Sequence, residues 1–261
     1  MSNTYVKYEK IIDKLDIKKN DVILFVSDLT RLLLDCKNNN ENFDGNNFLD
    51  SIIEKIGKEG TLLLPTFNYD FCKGKTYDYS KSLSITGALT KAALSRKDFK
   101  RTQHPIHSFA VWGKDKDYLY NLKNLSSFGA NSPFEYLYRK NAKNLTFGLD
   151  YKLGFATVHY CEEKVGVSYR FLKNFESLYI DENNKKELRK YQMYVRKDPH
   201  LSVKTNISSK LDEILKLNNE YKKYKINNNI IFLINLKVVV DIMIKDIKTS
   251  QEIVHLLIKK K

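Results

Sequence analysis

The segment Ala156-Thr157-Val158-His159-Tyr160-Cys161-Glu162-Glu163 brings an imidazole, a thiol and two carboxylates together. On a helix, Glu162 lies three residues and Glu163 four residues from His159, so both carboxylates share a face with the ring. A carboxylate beside an imidazole raises its proton affinity and fixes its tautomer, as a general base requires. The pattern is also half of a zinc-protease motif, but the second histidine is absent. Cys161 as a nucleophile is disfavoured, because two residues along a helix it does not face His159. A lone His-x-x-Glu is equally compatible with a surface ion pair.

Three further segments combine reactive groups with backbone punctuation. Ser27-Asp28-Leu29-Thr30-Arg31 directly follows an apolar run of strand length. Ligands bind at the carboxyl ends of strands in α/β sheets, and a helix start with small hydroxyls can hold phosphate. The alternative is an ordinary helix cap. Gly60 to Asp70 runs into Pro65 and then presents Thr66, Asn68, Tyr69 and Asp70, which suits a sugar or an amine, or is simply a polar loop. His104-Pro105-Ile106-His107-Ser108 spaces two histidines as a metal pair would. Pro105 disfavours the helix that would aim both at one ion, and no third ligand is near. We therefore expect a hydrogen-bonding loop and no metal.

The elements that must position these groups alternate. Tyr5–Leu15, Asn46–Ile56, Ser132–Arg139, Ile207–Leu217 and Ser250–Ile258 have helical apolar spacing, with Gly57 as a C-cap and Pro133 in a first turn. Thr86 can cap a further helix over Gly87–Leu94. Asp21–Ser27, Thr61–Leu64, Ser108–Trp112, Asn144–Leu149, Phe175–Asp181 and Ile230–Leu236 read as strands. Short buried strands between helices predict a layered α/β/α sandwich around a central mixed β-sheet. All ten glycines lie between Gly45 and Gly166, so tight turns concentrate there. No linker divides residues 1–261, which are expected to form one domain.

Composition narrows the class. With 261 residues and 42% apolar, the chain can bury a sizeable core and is neither a disordered tail nor a disulfide-stapled mini-protein. The formal charge of +14 raises a nucleic-acid partner, but basic and acidic residues interleave throughout and only the short Lys259–Lys261 tail is a block. That is how a lysine-rich solvated surface reads, and nucleic acid is disfavoured. Cys36, Cys72 and Cys161 are few and widely spaced, Met1–Asp16 lacks a signal-peptide core, and Ile230–Leu236 is too short to span a membrane. These features predict a cytoplasmic protein with reduced thiols and no membrane insertion.

Taken together and in order, the segments resemble the aminoglycoside 3-N-acetyltransferases, the antibiotic N-acetyltransferase family. Val26-Ser27-Asp28-Leu29 stands where the family has a His-Ser-Ser-Leu-like turn, and Glu59 to Phe67 matches an Glu-Gly-Thr-Leu-x-x-Pro-Thr-Phe segment. His104 to Ser108 matches His-Pro-Thr-His-Ser with Ile106 for Thr, and Gly129 to Phe134 matches Gly-x-x-Ser-Pro-Phe. His159 and Glu162 match Thr-x-x-His-x-x-Glu, with the threonine shifted to Thr157 and Ala156 in its place. The resemblance covers roughly residues 1–175.

The resemblance implies acyl transfer from acetyl-CoA to an amine in a ternary complex, without a covalent enzyme intermediate. It makes His159 the general base and Glu162 its partner, with Thr157, Ser108 or backbone amides facing the oxyanion. It places Ser27, Leu29, Arg31, His107, Ser108 and Ser132 along the CoA groove. It places Thr66, Asn68, Asp70, His104 and Glu163 toward the acceptor amine. A basic protein attracts anions more readily than polycations. The expected acceptor is therefore an amino sugar, carried on a nucleotide, for surface polysaccharide synthesis. The alternatives are an aminoglycoside, and more remotely a nucleic acid. A homo-oligomer is compatible with all three.

Overall fold

The computed structural model describes residues 4–197 and 203–259. Lys260 and Lys261 of the basic tail, Pro199, and the first three residues of the chain lie outside the described residues. Among the described residues twelve strands alternate with eight α-helices. The strands are β1 (Val22–Ser27), β2 (Thr61–Pro65), β3 (Tyr77–Asp78), β4 (Lys100–Arg101), β5 (Phe109–Gly113) and β6 (Lys143–Phe147). They continue with β7 (Arg170–Ile180), β8 (Lys186–Arg196), β9 (Val203–Ile207), β10 (Tyr221–Ile226), β11 (Asn229–Asn235) and β12 (His255–Lys259). The helices are α1 (Thr30–Asn38), α2 (Gly45–Ile56), α3 (Ala88–Ser95), α4 (Lys116–Tyr120), α5 (Pro133–Arg139), α6 (Thr157–Val165), α7 (Lys210–Leu217) and α8 (Leu236–Thr249).

A seven-stranded mixed sheet in the order β10-β11-β6-β1-β2-β5-β4 forms the centre. Its inner strands β6, β1 and β2 are parallel, and the outer pairings are antiparallel. Successive side chains of a strand point to opposite faces, and both faces here are dry. Phe25, Leu62, Leu64, Leu145 and Phe147 join Phe48 and Ile52 of α2 and Leu89 of α3 on one side. Leu24, Leu63, Phe109 and Phe232 join Phe134 of α5, Tyr160 of α6 and Val239 and Met243 of α8 on the other. Two-sided burial explains why these strands read as continuous apolar runs. The result is the expected α/β/α layering. Two small sheets are added at the side, β3-β7-β8 and β9-β12.

Several local expectations change. Tyr5–Leu15 forms two 3-10 turns, Tyr8–Lys10 and Ile12–Lys14, although Ile11, Ile12 and Leu15 are buried as the spacing required. Gly87 caps α3, while the Thr86 hydroxyl donates to the Pro65 carbonyl. The strand read at Phe175–Asp181 is the second half of β7, one arm of a hairpin with β8 whose two strands are eleven residues each and which the sequence reading did not assign.

The largest change is at the carboxyl end. Ser250–Ile258 is not a helix. The helix there is α8, which Asn235 opens by accepting from the Val238 amide. Ser250 and Glu252 then adopt left-handed backbone (φ 52° and 51°), which ends the helix and turns the chain into β12. Asp246 secures the turn by accepting from the amides of Ile253, Val254 and His255.

Candidate active site

The carboxyl ends of β1, β2 and β6 and the first turn of α6 enclose a cleft of about 570 Å3. Its wall includes Ser27, Pro65, Phe67, Tyr69, His107, Tyr151, Lys152, Thr157, His159 and Arg196. This is where a sheet with parallel inner strands gathers ligands, because each strand stops and the chain turns outward there.

Helix α6 supplies the reactive pair. His159 is about one third exposed, whereas Glu162 is wholly buried one turn later, and Nδ1 of His159 meets Oε2 of Glu162 at 2.6 Å. That contact puts the ring proton on Nδ1 and leaves Nε2 as the free acceptor. Arg170 Nε lies 2.8 Å from the same carboxylate oxygen, at ion-pair distance but off the line of a directed hydrogen bond. Tyr169 Oη donates to Oε1 at 3.0 Å, and His255 Nε2 approaches it at 3.3 Å. Burial alone would push the Glu162 carboxyl up. The hydrogen bonds from His159 and His255 and the nearby positive charge outweigh it and hold the group well below the usual carboxylate range.

At the amino end of α6 the Val158 and His159 amides are taken by the carbonyls of Phe155 and Ala156. Among the described residues the Thr157 amide and hydroxyl have no internal partner, and Thr157 lines the cleft. His107 faces the cleft from the neighbouring loop. Its ring packs edge-on against Phe67 at 4.6 Å, and Tyr69 Oη sits 3.3 Å from its Nε2. Burial pushes its pKa well down, so the ring is neutral, and Nδ1 is buried with no partner among the described residues.

Of the anticipated residues, Ser27, His107, Thr157 and His159 therefore line one cleft, with Glu162 directly beneath. The others are placed differently. Ser108 and Thr66 are buried with their hydroxyls 2.7 Å apart, and Arg101 donates to Ser108 Oγ and to the Thr66 carbonyl. Ser132 is buried as the N-cap of α5, accepting from the Glu135 amide. Leu29 packs in the core and Arg31 is exposed on α1. Asp28 takes the capping role in that segment, accepting from the Thr30 amide and hydroxyl. Asn68 holds its own loop, donating to the Leu83 carbonyl and accepting from the Asp70 amide. Asp70 pairs with Lys73 and Lys75 at the surface. His104 Nδ1 accepts from the amides of Ile106 and His107, and burial lowers its pKa to about 3. Glu163 is half-buried and accepts from Ser126 Oγ at 2.8 Å.

The sequence reading singled out Tyr69 as a stacking ring but missed Tyr151, Lys152 and Arg196 in the wall, and Tyr169, Arg170 and His255 around Glu162. Only Arg170, a cation near a His-x-x-Glu, carried a local signal. His255 is remote in sequence and was assigned to a helix.

The model of the family described as aminoglycoside 3-N-acetyltransferase matches residues 37–248. The SPbeta prophage-derived aminoglycoside N(3')-acetyltransferase-like protein YokD of Bacillus subtilis (strain 168) is 23% identical over 126 residues, 40% of this chain and 46% of that protein. The match thus spans less than half of that relative. Among solved structures, aminoglycoside acetyltransferase AAC(3)-Xa superposes with a TM-score of 0.75 at 15% identity, covering 95% of this chain and 92% of the other. AAC-IIIb, as its binary with CoASH, gives 0.74 at 13% identity over 93% and 95%. At these identities the structural likeness establishes the fold.

Proposed function

Because the chain belongs to the aminoglycoside 3-N-acetyltransferase family, we propose that it transfers an acetyl group from acetyl-CoA to an amine of an aminoglycoside-type amino sugar. The observation that carries this is the His159–Glu162 contact of 2.6 Å, with the other ring nitrogen left free on the cleft side. The amine nitrogen attacks the thioester carbonyl while His159 Nε2 takes its proton. The carbonyl π electrons move onto oxygen, and their return expels the CoA thiolate, which recovers the proton from the imidazolium. Glu162, held as an anion, compensates the charge His159 gains. The free amide and hydroxyl of Thr157 are the donors best placed for the oxyanion, since the Ser108 hydroxyl is already engaged. Arg196 in the cleft wall suits a phosphate of CoA, whereas Lys152 there is already paired with Asp150 and Asp212.

The nucleotide-linked acceptor rests only on the sign of the charge and the departures at Val26 and Ala156, and the nucleic-acid reading rests on charge alone. The family and the fold favour the aminoglycoside class. A thiol-release assay with acetyl-CoA tests the reading. A kanamycin-type amine should be turned over, a nucleotide-linked amino sugar should not, and His159→Ala should lose roughly 10²–10⁴-fold in kcat. CoA binding without turnover of any amine, or a His159→Ala rate equal to wild type, would falsify it.

A further inference from the structure

Glu162 has no exposed surface, and each of its oxygens meets two donors. Oε2 faces His159 and Arg170, and Oε1 faces Tyr169 and His255. The terminal torsion of a glutamate is broad, so a carboxylate held at one oxygen only can rotate away from its partner. Anchors on Oε1 fix the plane in which Oε2 meets the imidazole. His255 is itself only 3% exposed, and its placement is built rather than incidental. Asp246 on α8, also buried, grips the amides of residues 253, 254 and 255. The left-handed Ser250 and Glu252 turn β12 back over α6, where it pairs with β9 opposite Ile207. The family match ends at residue 248, so this turn and its histidine lie beyond it.

We infer that His255 is a positioning residue of the acetyl-transfer site, donating its Nε2–H to Glu162 Oε1 so that Oε2 stays aimed at His159. This rests on His159 being the base. Among the described residues the groups facing Glu162 are His159 on α6, Tyr169 in the turn before β7, Arg170 at the start of β7, and His255 on β12. Tyr194 of β8 lies behind them with its hydroxyl on the Val167 carbonyl. Of the two donors to Oε1, only His255 comes from a segment remote from α6. Losing the His255 donor frees the carboxylate to turn from His159, which loosens its hold on the imidazolium, and the base then stays neutral to lower pH.

His255→Leu should therefore lower kcat by roughly 10-fold or more while leaving KM for acetyl-CoA nearly unchanged. It should move the acid limb of kcat/KM downward by about half a unit or more. His255→Gln, whose amide N–H reaches the same place, should restore most of both. The His159 ring followed by NMR titration in wild type and in His255→Gln and His255→Asn gives the coupling without turnover, even if the leucine variant does not fold. An unchanged pH profile in His255→Leu, or a wild-type His255 ring with Nε2 unprotonated, overturns the inference. If wild type acetylates no amine, the functional reading fails, and the NMR titration still shows whether His255 is coupled to His159.

Discussion

Replacing Glu162 by Gln keeps the shape of the side chain and removes its charge, and the surrounding donors dictate the outcome. An amide has one accepting oxygen where the carboxylate has two. Arg170 Nε has no lone pair to offer, so the amide NH2 cannot sit beside it, and the oxygen must face Arg170 and His159. The NH2 then meets Tyr169 and His255, whose hydroxyl and ring can both switch to accepting. The tautomer of His159 survives, and what is lost is the anion that stabilises the imidazolium. A charge pair about 4 Å apart at an effective dielectric of about 20 is worth roughly 4 kcal/mol, or about a thousandfold in rate. We expect kcat to fall about 10³-fold, with KM for acetyl-CoA little changed and the acid limb of kcat/KM moved to lower pH. Arg170, 6% exposed, loses its counter-charge, which costs about 3–5 kcal/mol of stability. The thiol-release assay must therefore be run where circular dichroism shows the variant fully folded. A depressed carboxyl contributes stability above its unfolded pKa and loses it as pH falls below that value, ordinarily 4.5. The stability gap between wild type and Glu162→Gln should accordingly narrow in acid. A variant with wild-type kcat on the pH plateau refutes the charge argument, whatever its stability.

Three further perturbations test the frame around the pair. His104, with its pKa lowered to about 3 by burial, stays neutral while the unfolded chain takes up a proton near pH 6.5, so its contribution is full above that pH and declines toward pH 3. His104→Gln should flatten the pH dependence of urea-unfolding free energy between those limits by up to about 1.4 kcal/mol per pH unit, and an unchanged slope counts against it. Gly148 has φ 78°, and a Cβ there would lie 2.0 Å from the Asp28 carbonyl, so Gly148→Ala should lower the urea midpoint by the equivalent of at least about 1–3 kcal/mol. Cys161 is buried, its thiol is pushed up by burial and donates to the Thr157 carbonyl. Cys161→Ala should therefore keep kcat within about threefold, and mass spectrometry should find no acetyl group on the wild-type thiol.

The sheet and the reactive pair were legible because each rests on a local period. Apolar runs marked β1, β2 and β6, and helical spacing put His159 beside Glu162. The facing of side chains in extended segments was not legible. Between Pro65 and Asp70, Pro65, Phe67 and Tyr69 line the cleft, while Thr66, Asn68 and Asp70 turn away from it. The polar residues drew attention as candidate ligands, yet their polarity serves to hold the loop. The same alternation gives His107 to the cleft and Ser108 to the Arg101 network. In the last third, β-branched Val238 to Val240 hid α8, and the turn that ends it depends on two non-glycine residues in left-handed backbone. Composition carries no signal for such a turn, because the buried Asp246 carboxylate stabilises it from seven to nine residues upstream.

Net charge misleads about the acceptor for a related reason. The +14 belongs to the whole surface, and at physiological ionic strength a charge is felt over only about 8 Å. What an acceptor amine meets is set by the groups within that distance of His159. Glu163 follows His159 by four residues on α6 and so shares its face. Burial raises its pKa, and the hydrogen bond from Ser126 only partly offsets this. It is thus a carboxylate with its anionic form under-compensated. The groups around the cleft therefore bear on the acceptor more than the overall charge of the protein does. Of the basic groups in the cleft wall, Lys152 is held by Asp150 and Asp212, while Arg196 faces an anionic donor.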